Sequence, residues 1–100
     1  MLYLVKLYVD QQAVGFGDKR IEIGAGDAAQ ARIWKTEGRL MGLWRRADCG
    51  GAIFVIDAES HEALGSDLQA LPLFPYLRNI EVTPLLAHPV FPECSEPKER

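Results

Sequence analysis

Lys6, Arg45 and Asp27 are the side chains of this 100-residue sequence whose chemistry first calls for an explanation. Lys6 sits in the middle of LYLVKLYV, residues 2–9, an otherwise uncharged apolar run. An enclosed ammonium without a partner is costly, so it needs an anion, either a carboxylate of the chain or that of a bound molecule. The competing reading is a lysine at a solvated or salt-bridged strand edge. Arg45 and Arg46 follow Trp44, and alternation along a strand sends them to opposite faces. Arg45 is the one read here as a clamp, gripping a carboxylate with two parallel hydrogen bonds or pairing with an Asp or Glu of the chain. Asp27 is a candidate proton-transfer group, because a desolvated carboxylate has a raised pKa and can take and return a proton. The structural reading, a cap, has the better support, since Asp27-Ala28-Ala29-Gln30 fits a capping box.

Other chemistry is poorly represented. His61 and His88 lack helical or ligand spacing, and Cys49 and Cys94 lack the spacing of a zinc site or a disulfide framework. Gly15-Phe16-Gly17 is not followed by the glycine and helix that a phosphate loop requires.

Residues 2–9 predict a first strand, rich in β-branched and aromatic side chains. Four glycines punctuate residues 10–26, while Arg20-Ile21-Glu22-Ile23 alternates with period two, so a loop with a short strand-like piece is expected there. A helix is expected from Asp27, with Ala28, Ala31 and Trp34 on one face and Gly38 as its left-handed terminator. RLMGLWRR (39–46) and AIFVID (52–57) read as an antiparallel hairpin. A second helix follows, capped by Ser60 or Asp57, with His61 in its first turn and Ala63, Leu64, Leu68 and Leu71 facing inward. After the rigid apolar turn LPLFPY (71–76), Ile80-Glu81-Val82-Thr83 reads as a last strand stopped by Pro84.

The order β-α-β-β-α-β is that of an α+β, ferredoxin-like domain with a four-stranded antiparallel sheet. Two helices cover one face only. In the first strand both alternating sets, Tyr3/Val5/Leu7/Val9 and Leu2/Leu4/Lys6/Tyr8, are largely apolar. The open face is therefore expected to pack on a second copy, giving a dimeric α/β barrel with Lys6 and Tyr8 inside, the kind of cavity that takes a small molecule. Residues 1–89 form one domain in this reading and 90–100 a polar tail. A net charge of −3 gives no footprint for nucleic acid, and no run approaches the length of a membrane helix. Without a recognisable leader, a cytoplasmic location is expected.

GRLMGLWRR, SHEALGSDLQALPLFPY, IEVTPLLAHP and the opening MLYLVKLYV together resemble the muconolactone delta-isomerases, over residues 1–9 and about 37–89. The resemblance implies a ferredoxin-like subunit in a homo-oligomer, with dimers built up to a decamer in some members. It implies cofactor-free migration of a double bond in a small anionic lactone, in the catechol branch of the 3-oxoadipate pathway. Under that resemblance Asp27 or Glu37 is the candidate base, Lys6 and Arg45 hold the substrate's carboxylate, and Tyr8, Trp44 and Tyr76 line the pocket. The chain departs from the family at Leu4, where His is common, and at Asp48-Cys49, in place of a glycine-histidine pair. A small-molecule-binding module and a lyase or dehalogenase-type enzyme on the same scaffold are the alternative readings.

Overall fold

The computed structural model describes residues 1–91 and 93; of the predicted tail, Pro92, Cys94 and residues 95–100 lie outside the described residues. The elements are β1 (Leu2–Val9), α1 (Gln11–Val14), α2 (Asp18–Thr36), β2 (Leu40–Arg45), β3 (Ala52–Asp57), α3 (His61–Gln69), a 3-10 turn (Phe74–Tyr76) and β4 (Leu77–Leu85). The strands form one sheet in the order β2-β3-β1-β4 with every neighbouring pair antiparallel. This is the expected ferredoxin-like topology.

The two alternating sets of β1 divide cleanly. Tyr3, Val5 and Leu7 are buried, with Phe54 and Ile56 of β3 beside them in register. Trp34 of α2 and Leu64 and Leu68 of α3 close over this layer, and Trp34 lies against Phe54 with ring centroids 5.9 Å apart. Burial of such side chains contributes about 1.5–3 kcal/mol each. Leu2, Leu4, Lys6 and Tyr8 point to the other face, which no helix covers, and are half-buried.

Two sequence expectations need correction. Residues 10–26 are not a loop with a strand-like piece: α1 turns at 11–14 and α2 already begins at Asp18. Period two at Ile21 and Ile23 misleads because Ile21 is exposed and only Ile23 and Trp34 of α2 are buried. Gly24 and Gly26 each cost a helix about 1 kcal/mol. At Gly26 packing gives the reason, since a Cβ there would come within 2.7 Å of Cγ of Pro72 in the LPLFPY turn. Asp27 is consequently mid-helix and caps nothing; its Oδ1 accepts the backbone N–H of Leu73 at 3.2 Å. The second correction concerns β4, which runs from Leu77 through Pro84 to Leu85. It is an edge strand, where a proline's missing N–H is tolerated.

The remaining boundaries agree with the expectation. Ser60 caps α3, its Oγ accepting from Ala63 N at 3.1 Å, and Gly38 has φ 79° just beyond α2. The LPLFPY turn buries Leu71 in the core and ties itself to α2 through Leu73 and to the start of α1 through the Tyr76 carbonyl, which accepts from Asp10 N.

Burial raises Asp27 above the usual carboxylate range, and the hydrogen bond from Leu73 opposes this only in part. An acid raised on folding binds its proton more tightly in the native chain, so stability falls as pH rises from the unfolded pKa through the folded one. Asp27→Asn keeps an acceptor for Leu73 without the charge. The variant is expected to be more stable than the parent at neutral pH in urea unfolding, with the advantage fading below the ordinary carboxylate pKa of about 4; an advantage independent of pH contradicts this.

Candidate functional site

Register brings several of the candidate residues together on the open face of the sheet. Directly opposite residues of antiparallel strands share a face. Lys6 lies opposite Ile53 on one side and Glu81 on the other, and Tyr8 lies opposite Asn79. Trp44 lies opposite Ile53 from β2. The result is one surface carrying Lys6, Tyr8, Glu81 and Trp44, floored by the half-buried Leu4, Ile53 and Val55. Charged groups are few there and the floor is apolar, which suits a small molecule with one anionic end.

Tyr8 is the centre of a polar cluster. A hydrogen bond to the Glu81 carboxylate, followed by burial and the charge of Glu81, raises the phenol above its ordinary value, while Arg46 acts in the opposite direction. The Arg46 guanidinium carbon sits 4.0 Å from the Tyr8 ring centroid. Its Nη2 donates to Asp48 Oδ2 at 2.6 Å, and Gly50 N donates to Asp48 Oδ1 at 2.9 Å. The Gly50 amide, then Arg46, hold the Asp48 carboxyl below the usual range. The loop carrying this latch is fixed to β1 by the hydrogen bond from Val9 N to Gly50 O and by Gly51 at φ 151°, where a Cβ would run into the Leu7 carbonyl oxygen. Only glycine fits that approach.

The residues singled out from the sequence separate into two groups. Lys6, Tyr8 and Trp44 come together on the open face. Arg45 does not join them: it is exposed and lies opposite Ala52, on the side shared with Phe54, so alternation turns Arg46 rather than Arg45 toward the site. Asp27 is on α2, which covers the other face, and its carboxylate is engaged by the LPLFPY turn. Glu37 lies beyond the end of α2, where Arg39 reaches it and forms an ion pair with Asp67 in a hollow that also includes Met1 and Asp57. Tyr76 sits in the 3-10 turn with the Lys19 ammonium 4.8 Å from its ring centroid. Within one protomer the sheet separates Asp27 from Lys6.

Glu81 and Arg46 belong to this candidate site and were left out by the sequence reading. Glu81 was legible in the alternation of Ile80-Glu81-Val82, once Ile80 is recognised as the inward residue. Arg46 required the register of β2, which slips by one residue between Leu40 and Gly42.

Gly42 sits beneath Trp44, and a Cβ there would overlap the indole ring. Gly42→Ala is therefore expected to lift Trp44 from the sheet and increase quenching of its fluorescence by acrylamide, with no such change in a Trp44→Phe background. Unchanged quenching contradicts the placement.

The family model described as muconolactone delta-isomerase matches residues 1–90. The muconolactone delta-isomerase of Cupriavidus pinatubonensis is 36% identical over 89 residues, spanning 89% of this chain and 96% of that protein. That of Pseudomonas putida is also 36% identical over 89 residues, spanning 92% of its length. Among solved structures, a crystal structure of muconolactone isomerase superposes with a TM-score of 0.78 at 37% identity, covering 89% of this chain and 92% of that one. A 5-chloro-2-hydroxyhydroquinone dehydrochlorinase from Burkholderia phenoliruptrix shares the fold, with a TM-score of 0.71 at 16% identity. A family model matching residues 1–90, and relatives 36% identical along nearly their whole length with the same fold, show that the chain belongs to the muconolactone delta-isomerase family.

Proposed function

We propose that the chain moves a carbon-carbon double bond within a small anionic lactone of the muconolactone type, on the open face of its sheet. The observation that carries this reading is Glu81 directly opposite Lys6 on that face. The ammonium holds the substrate's free carboxylate, and the Glu81 carboxylate stands where it can take a proton from a ring carbon conjugated with the lactone carbonyl. The C–H electron pair passes into the ring system, giving a dienolate, and the proton returns from Glu81 to a different carbon. No electron is exchanged with an external group, so the chemistry needs only a positioned base, a cation and exclusion of water.

Water is excluded in this reading by a second copy of the chain. The open face has half-buried Leu2, Leu4, Ile53 and Val55, together with Trp44 at 57% exposure. Packing two such faces removes apolar surface from water and encloses Lys6, giving the dimeric barrel expected from β1. Desolvation strengthens the hold of Lys6 on an anion.

The purified chain is expected to convert muconolactone to the enol-lactone, followed by absorbance. Glu81→Gln lowers kcat on the order of 100-fold, as loss of a general base does, and Lys6→Met acts chiefly by raising KM. Asp27→Asn, altered behind the sheet, retains turnover. An inactive parent contradicts the proposed reaction, while an inactive Asp27→Asn beside an active Glu81→Gln assigns the base to Asp27 and contradicts the role given to Glu81.

A further inference from the structure

We propose that Tyr8 is a catalytic residue that stabilises the negative charge formed on the lactone oxygen, and that Arg46 is the positioning residue that holds the phenol for this task. The proposal rests on the isomerase reading above and adds two roles to it.

The geometry is specific. Tyr8 and Glu81 are diagonal neighbours on one face, since Glu81 opposes Lys6 two residues earlier on β1. Arg46 lies on the Tyr8 ring at 4.0 Å, and its side chain is only 17% exposed. Asp48 fixes the guanidinium through Nη2, whereas Nη1 is buried with no hydrogen-bond partner. A buried charged donor left unpaired is costly unless something else attracts it. The electron-rich face of Tyr8 supplies that attraction, so ring and guanidinium fix one another. The phenol thus lies between the Arg46 guanidinium of the loop after β2 and the Glu81 carboxylate of β4, on the face that carries Lys6.

This arrangement couples the phenol to the proton transfer. While Glu81 is a carboxylate it competes for the Tyr8 O–H. When it takes the substrate proton, the C–H bond breaks, a Glu81 O–H bond forms and the electron pair moves toward the lactone oxygen. Neutral Glu81 is then a weak acceptor and the new oxyanion a strong one, so the Tyr8 O–H turns to the oxyanion without losing its own proton. When Glu81 returns its proton to the other carbon, the electron pair returns to the ring and the phenol goes back to the carboxylate. The cation on the ring adds favourable charge at the step where negative charge appears, and a preorganised donor of this kind accounts for large rate factors. The charged groups facing the phenol are Lys6 on its own strand, Glu81 from β4, and Arg46 with Asp48 from the loop after β2; β3 contributes uncharged Ile53, and the end of that loop Gly51.

The test uses the full chain. Tyr8→Phe is expected to lower kcat on muconolactone on the order of 100-fold with KM little changed, unlike Lys6→Met. The Tyr8 titration, read by ultraviolet absorbance as the difference from the Tyr8→Phe chain, is expected to move to higher pH in Arg46→Met and to lower pH in Glu81→Gln, a pair of opposite shifts that a purely structural role does not produce. Arg46→Lys, which keeps the charge, restores part of both kcat and the titration, and Arg46→Gln replaces Arg46→Met if the latter fails to fold. Unchanged kcat and unchanged titration in the Arg46 variants of an active parent overturn the proposal and leave the isomerase reading standing. A parent inactive on muconolactone overturns the catalytic role of Tyr8 together with that reading, and is distinguished by being inactive before any substitution.

Discussion

Everything in this molecule follows from a sheet with two apolar faces and helices enough for one. Tyr3, Val5 and Leu7 anchor the covered side, where Phe54, Ile56 and Trp34 complete a dry layer. The same eight-residue strand sends Leu2, Leu4, Lys6 and Tyr8 to the uncovered side. A surface of this kind must be buried or put to use, and a lysine at its centre makes it a place where an anion is worth more than in water. The fold thus leaves one face open, and the proposed site lies there.

The LPLFPY turn does its work on the opposite side. Its Pro72 presses on Gly26, its Leu73 amide binds Asp27, and Leu71 enters the core. A helix carrying two glycines is thereby tied to a rigid turn distant in sequence. Asp27 serves that contact. Its polar role in the turn explains why a carboxylate sits half-buried in a helix whose outer face is otherwise exposed.

The topology and one face of the site were legible in the sequence, because alternation in LYLVKLYV reports directly which side chains share a surface. The start of α2 was not, since its first turns show Ile21 and Ile23 at strand spacing and their burial is decided by packing with the turn. The carboxylate opposite Lys6 was also hidden. Sequence reasoning sought a carboxylate near a helix mouth, at Asp27 or Glu37, whereas register brings in Glu81 from 75 positions further along the chain. Choosing between Arg45 and Arg46 depended on the slip in pairing after Leu40, a feature of two strands together that neither strand carries alone. Family membership was legible from the continuous match of the turn and its flanks, which packing constrains strongly.

The central claim is that the anionic ligand is held on the open face at Lys6. Chemical-shift mapping of the amide-labelled chain during titration with an unreactive saturated lactone carboxylate measures this directly. The account predicts saturable shifts centred on Leu4, Lys6, Tyr8, Ile53 and Glu81, abolished by Lys6→Met. Shifts centred instead on Asp27 and Leu73, or on the hollow around Met1 and Arg39, would contradict it.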